Sequence, residues 1–252
     1  MKLKFLFVVG PPGVGHMMFY SLMKNILDER KAVSAKILLQ PGAAFKDSPE
    51  LNKMLSNIWN PGLHEVPRPN YEYIKGKVRY EVQSLVKSGC THFLATHTFP
   101  YGHPYPKTVD NPGNRPNLVE LFEFIGDISD IKLLVMYRDP ISVTWSAVRR
   151  GFITDLMLQA KIVEKNFIYI VEQLKACPPD SYKIMRYENF FKDDYYDSYI
   201  DTISNFWELD KNAFVKDVRK PAETPAKERE ILKEFFTEER VDQWKFLYEN
   251  LD

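Results

Sequence analysis

The stretch Phe5-Leu6-Phe7-Val8-Val9-Gly10-Pro11-Pro12-Gly13-Val14-Gly15-His16 constrains this chain more than any other. An apolar, β-branched and aromatic run ends in a Gly/Pro-rich turn, and an amphipathic segment from Met17 to Leu27 follows at once. That order predicts a buried strand, a tight loop and a helix. Glycines let backbone N–H groups turn inward and approach an anion closely. The helix N-terminus behind them adds partial positive charge. A phosphate or sulfate group is the natural guest, against the alternative of an ordinary strand-to-helix turn that binds nothing. Gly10 and Gly15 fit the G-x-x-x-x-G-K-[ST] pattern, but His16 stands at the lysine position and Met17 at the hydroxyl position. The cradle is present. The cation for the β/γ-phosphates and the hydroxyl for magnesium are not.

Downstream, strand and helix patterns alternate. Strands are expected at Ala35–Leu39, Thr91–Thr96, Ile131–Tyr137 and Tyr182–Tyr187. Helices are expected at Asn70–Lys87, Asn117–Ile125, Pro140 to about Arg150, and Thr154–Ala176, and most of the remainder reads as helical. Ile131-Lys132-Leu133-Leu134-Val135-Met136-Tyr137 is nearly continuous in apolar character, as suits a parallel strand covered on both faces. Asp139-Pro140 has the form of a helix start, with Asp as N-cap and Pro in the first turn. The alternation predicts an α/β fold, a three-layer α/β/α arrangement around a mostly parallel, doubly wound sheet. One domain over residues 1–252 accounts for the length.

The 34 basic and 34 acidic residues balance, which argues against a polyanion-binding surface over the whole molecule and against nucleic acid as the partner. Cys90 and Cys177 match no metal spacing and read as free thiols in a reducing, cytoplasmic compartment. No 18-residue apolar run is present, so no membrane span is expected. The composition does not bear on oligomeric state.

Four stretches together resemble the sulfotransferases that use 3′-phosphoadenosine 5′-phosphosulfate (PAPS). Val9-Gly10-Pro11-Pro12-Gly13-Val14-Gly15-His16-Met17 is similar to the family's phosphosulfate loop. Tyr137-Arg138-Asp139-Pro140, with Ser146 eight positions after Arg138, resembles its 3′-phosphate motif. Ala95-Thr96-His97-Thr98-Phe99-Pro100 looks like the segment bearing the catalytic histidine, and Arg186-Tyr187-Glu188-Asn189 looks like an R-Y-E-D segment. The resemblance implies the P-loop-like sulfotransferase fold, with PAPS as sulfuryl donor and no metal. It implies that Pro12, Gly13, Val14, Gly15, His16 and Met17 hold the 5′-phosphosulfate. Arg138 and Ser146 would hold the 3′-phosphate, and Tyr187 would stack on the adenine or line the core. His97 would be the base that takes the acceptor proton. Arg219-Lys220-Pro221 looks like the family's late basic loop, with Pro221 in place of a glycine. The long loop of residues 98–116 offers Tyr101, His103 and Lys107 to a small-molecule or saccharide acceptor.

Two departures matter. The family's phosphosulfate loop carries Lys or Arg followed by Ser-Gly-Thr; here those positions are Gly13, Val14, Gly15 and His16. The lysine before Thr-His in cytosolic members is Ala95. Sulfuryl transfer depends on positioning and charge stabilisation. Three readings follow: a protonated His16 supplies the charge, a lysine such as Lys107 swings in, or the protein binds nucleotide without efficient transfer. A small-molecule kinase is a competing activity, disfavoured by His16 and Met17.

Overall fold

The computed structural model describes residues 2–11, 13–16, 18, 19, 21–23, 33–36, 71–98, 118–151, 153–214 and 222–251. Five strands form one sheet: β1 (Leu3–Gly10), β2 (Val33–Lys36), β3 (His92–Thr98), β4 (Ser129–Tyr137) and β5 (Tyr182–Arg186). Their spatial order is β2-β3-β1-β4-β5, and every neighbouring pair is parallel. The α/β fold expected from the sequence is the fold observed.

β1 is the centre of the sheet, and its composition explains why. Leu3 and all residues from Phe5 to Val9 are buried. They are apolar without alternation because helices cover both faces of a parallel sheet. Each such side chain contributes about 1.5–3 kcal/mol by leaving water. Phe5 meets Phe93 of β3 at 4.9 Å between ring centroids. Only Lys4 interrupts the run, and it reaches Glu208 in an ion pair.

Helix α1 opens at His16, and its described residues are 16, 18, 19 and 21–23. Next come α2 (Tyr71–Lys87), α3 (Leu118–Ile125), α4 (Pro140–Arg149), α5 (Leu156–Ala176), α6 (Asp193–Trp207) and α7 (Ala226–Phe235). α2 packs on α3, and α3 on α5, as one layer. The right-handed rule for parallel crossovers puts α2, α3 and α5 on one face of the sheet and α1 on the other. β1 therefore sits between two strands whose onward connections leave for the opposite face to its own. The crevice beyond the C-terminal end of β1 is where an open α/β sheet receives ligands.

Local signals set the helix starts. Asp139 caps α4, accepting from the backbone N–H groups of Ile141 and Ser142, with Pro140 at the first turn. Asp155 caps α5, its Oδ1 accepting from Met157 and Leu158 at 2.9 Å each. Arg79 of α2 clasps Asp127 with both Nη atoms and donates to Phe124 O at 2.9 Å. That joins α2 to the turn before β4. Cys90 and Cys177 are buried free thiols, and burial pushes Cys177 up to about 11. Among the described residues, no helix is long and apolar enough to cross a membrane.

Candidate functional site

The C-terminal edge of the sheet collects the sequence's candidate residues because all five strands point the same way. Gly10 ends β1 and pairs with Thr98 of β3, so His97 lies opposite Val9 at the same edge. Tyr137 ends β4 opposite Arg186 of β5, which brings Arg138 and Tyr187 out side by side. The His97 side chain lies outside what is described, as do Pro12, Met17, Tyr101, His103, Lys107, Arg219 and Lys220.

The loop is tightly built. Gly13 has φ +100° and Gly15 has φ +116°, conformations that residues with a Cβ rarely adopt. A Cβ on Gly13 would lie 2.8 Å from the backbone oxygen of Val143 and 3.3 Å from Cβ of Ser146. A Cβ on Gly15 would lie 2.4 Å from the ring of Tyr187. The first of these contacts gives a steric reason for the missing loop cation. Position 13 is where a lysine would stand by resemblance, and α4 approaches too closely to admit a side chain there.

Arg138 occupies the centre of the site and is 4 % exposed. Its Nη1 donates to Gly13 O at 2.6 Å, a short charge-assisted bond. Its guanidinium carbon lies 4.4 Å from the centroid of the Tyr187 ring, a cation–π contact. Its Nε is buried without a hydrogen-bond partner, 3.9 Å from Glu188 Oε1. Burial draws the guanidinium below its ordinary pKa, while Tyr187, Glu188 and Asp139 oppose that shift. Ser146, one α4 turn beyond Ser142, is also buried and faces Gly13.

Tyr187 does not end β5 as its sequence position suggested. The strand stops at Arg186, where β4 also ends, and Tyr187 opens a 3-10 turn over Tyr187–Phe191. Its ring is 6 % exposed, packed between Gly15, Arg138 and Phe191 (5.0 Å between ring centroids). Burial raises its phenol above the ordinary value, against the opposing influence of Arg138. The ring thus lies beneath the loop.

His16 is the first helical residue of α1 and is partly buried, with Nε2 out of contact with solvent. His92, early in β3, is buried. Its Nε2 lies 3.2 Å from Trp207 O and its Nδ1 lies 2.9 Å from Thr91 Oγ1. Arg149 ends α4 and Arg150 is its C-cap; both are exposed.

Two supporting residues had no role assigned from sequence. Glu188 Oε1 accepts from the backbone N–H of Asp139 at 3.2 Å, and Oε2 accepts from Arg186 Nε at 3.3 Å. It ties the exit of β4 to the exit of β5. Tyr199 OH accepts from Asn189 Nδ2 at 2.9 Å and from Arg186 N at 3.2 Å, which fixes the same turn from α6. The Arg-Tyr-Glu-Asn string signalled Glu188; Tyr199 had no local signal.

The residues present suit a phosphate- or sulfate-bearing ligand: a glycine loop, a helix N-terminus, a buried cation and a hydroxyl converge at one sheet edge. Among the described residues, no group of three or more His, Cys, Asp or Glu side chains could hold a metal.

No protein-family model matches the chain, and no curated protein matches it in sequence. Solved structures do. A sulfotransferase from Alicyclobacillus acidocaldarius is similar with a TM-score of 0.56 and 16% identity, over 100% of this chain and 97% of that one. The sulfotransferase domain of the Synechococcus PCC 7002 olefin synthase is similar with a TM-score of 0.51 and 11% identity, over 100% and 98%. The sulfotransferase domain from the curacin biosynthetic pathway is similar with a TM-score of 0.51 and 11% identity, over 97% and 91%. The chain has the sulfotransferase fold.

Proposed function

We propose that the protein is a PAPS-dependent sulfotransferase acting on a hydroxyl or amine of a small acceptor. The observation that carries this reading is the glycine loop of residues 13–16, held between a buried arginine and a serine hydroxyl at the ligand edge of a sulfotransferase fold. PAPS supplies an activated sulfuryl group: its S–O bond to the 5′-phosphate breaks as the acceptor oxygen or nitrogen bonds to sulfur, and the electron pair leaves with adenosine 3′,5′-bisphosphate. The chain's residues position and balance charge. The loop and the start of α1 offer backbone donors and a helix dipole to the anion. Arg138 places positive charge behind the loop, and Ser146 adds a hydroxyl. His97, at the same edge, accepts the acceptor's proton. His16 opens α1, where a protonated imidazole would offset charge on the departing phosphate.

The test is product formation from sulfur-labelled PAPS with a panel of phenols, alcohols, amines and saccharides, alongside calorimetry with adenosine 3′,5′-bisphosphate and with ATP-magnesium. Transfer of label, with binding of the bisphosphate over ATP, supports the reading. Preference for ATP-magnesium with phosphate transfer would replace it with a kinase. A second reading is a nucleotide-binding protein that does not transfer. Its supporting observation is the steric exclusion of a lysine at Gly13, and it predicts bisphosphate binding without labelled product.

A further inference from the structure

One carboxylate holds Arg138 at its backbone and at its guanidinium. Glu188 Oε1 accepts from the backbone N–H of Asp139 at 3.2 Å, and so fixes the peptide that follows Arg138. The same oxygen lies 3.9 Å from Arg138 Nε, the buried nitrogen that has no hydrogen-bond partner. The other oxygen accepts from Nε of the half-exposed Arg186 at 3.3 Å. Arg186 balances the carboxylate from the solvent side, so the positive charge of Arg138 is left for a ligand. A guanidinium carries five N–H donors. One Nη1 donor goes to Gly13 O and the Nε donor lies toward Glu188, which leaves three on Nη1 and Nη2. The Tyr187 ring supports the guanidinium at 4.4 Å from its carbon.

We propose that Glu188 is a positioning residue for the nucleotide: it fixes the backbone and the guanidinium of Arg138, so that the three remaining donors meet the 3′-phosphate already oriented. The ligand side of this proposal rests on the proposed function, with Arg138 receiving that phosphate as the resemblance implies; the hold of Glu188 on Arg138 does not. The charge of Glu188 gives the proposal a definite sign. A carboxylate beside an anion site repels the anion, so on Coulomb's law alone its removal tightens binding. The Glu188 side chain is 31% exposed, and there solvent and salt screen that repulsion. A released arginine must instead be ordered each time a ligand binds, which lowers affinity by about 3- to 10-fold. The ordering cost outweighs the screened repulsion, so loss of Glu188 weakens binding of adenosine 3′,5′-bisphosphate.

Two measurements decide it. The first needs no ligand: hydrogen exchange of the Arg138 Nε–H group by NMR, its resonance identified by its loss in Arg138→Lys. Exchange should be at least about tenfold faster in Glu188→Ala than in wild type, while the Leu133 and Val135 amides in β4 keep their protection. Unchanged Nε–H exchange, or an equal rise in β4, overturns the proposal. The second is calorimetry at about 0.15 M salt with adenosine 3′,5′-bisphosphate and adenosine 5′-monophosphate. Glu188→Ala should weaken the bisphosphate by about 3- to 10-fold and leave the monophosphate within about twofold. Glu188→Gln, which keeps an oxygen for Asp139 N and Arg138 Nε, should return the bisphosphate to within about twofold of wild type. In an Arg138→Met background, Glu188→Ala should cost nothing further, because Glu188 acts through Arg138. Tighter binding by Glu188→Ala, an equal loss for both nucleotides, or losses that add in the double variant each overturn the proposal. Failure of wild type to bind either nucleotide would overturn the proposed function, while the Nε–H exchange still decides whether Glu188 holds Arg138.

Discussion

Gly15→Ala isolates how much the loop's geometry demands. Two costs combine at this position. At φ +116° an L-residue is strained by about 1–3 kcal/mol. The added methyl also meets the Tyr187 ring at 2.4 Å. A flexible neighbour would swing aside, but this ring is held by Arg138 on its face and Phe191 against it. Overpacking against a braced side chain costs about 1–3 kcal/mol. The sum is about 2–6 kcal/mol, a large part of the 5–15 kcal/mol that holds an ordinary domain. Gly89→Ala is the control: it has φ +84° but nothing within 4 Å of its Cβ, so strain of about 1–2 kcal/mol is its whole cost. Urea unfolding followed by tryptophan fluorescence measures both. With a slope of about 3 kcal/mol/M, a 4 kcal/mol loss moves the midpoint by a little over 1 M. Tyr187→Ala in the Gly15→Ala background should return about 1–3 kcal/mol relative to additivity, because it removes the clash but not the strain. If Gly15→Ala costs no more than Gly89→Ala, or the two changes simply add, the packing of Tyr187 beneath the loop is refuted.

His97→Ala should lower transfer by about 10²–10⁴-fold with nucleotide affinity nearly unchanged; steady-state rates with PAPS and calorimetry with the bisphosphate check this, and wild-type turnover would make His97 structural. If His16 carries the compensating charge, bisphosphate binding takes up a proton, since nearby anions favour the imidazolium. Affinity should then fall as pH rises through the bound-state pKa. Calorimetry in two buffers of different ionisation enthalpy should show that uptake in wild type and none in His16→Asn; equal uptake in both removes His16 from the role. Away from the site, the Arg79 hydrogen bond holds Asp127 at about 2, below its ordinary 3.8. A depressed folded-state value means the ion pair's contribution is present above the unfolded value and is lost as pH falls through about 2. Thermal melts should therefore place Asp127→Asn below wild type at neutral pH, with the gap closing towards pH 2; no gap at neutral pH would show that Arg79 stabilises through Phe124 O alone.

The parts of the fold that the sequence revealed are those with local causes. The apolar run, the glycine loop and the helix behind it follow one another in the chain, and so do Asp139, Pro140 and α4. The parts that stayed hidden depend on partners far along the chain. β2 was expected at Ala35–Leu39, but pairing with Phe93 to Thr96 starts it at Val33; residues 37–39 lie outside the described set. β5 stops one residue short of Tyr187 because β4, its only described neighbour, also ends there. In the site, sequence spacing placed Arg138 at the ligand edge. Its bond to Gly13, 125 positions away, belongs to no motif. Gly13 itself read as a lost lysine. Only the approach of Val143 shows that no side chain has room there.

The central place of β1 has a consequence during synthesis. Lys4 pairs with His92 and Leu3 with Ser129, so the most apolar strand lacks both neighbours until the ribosome has passed those residues. At about 5–20 residues per second, that leaves it without its second neighbour for about 6–25 s. Through that interval Phe5, Leu6, Phe7, Val8 and Val9 form a short apolar, uncharged segment with open backbone edges, the kind that pairs with other nascent chains. Lys2 and Lys4 before it, and the prolines after it, are the residues placed to hold such pairing off. Neutralising both lysines should therefore lower soluble yield more than it lowers the stability of molecules that have finished folding.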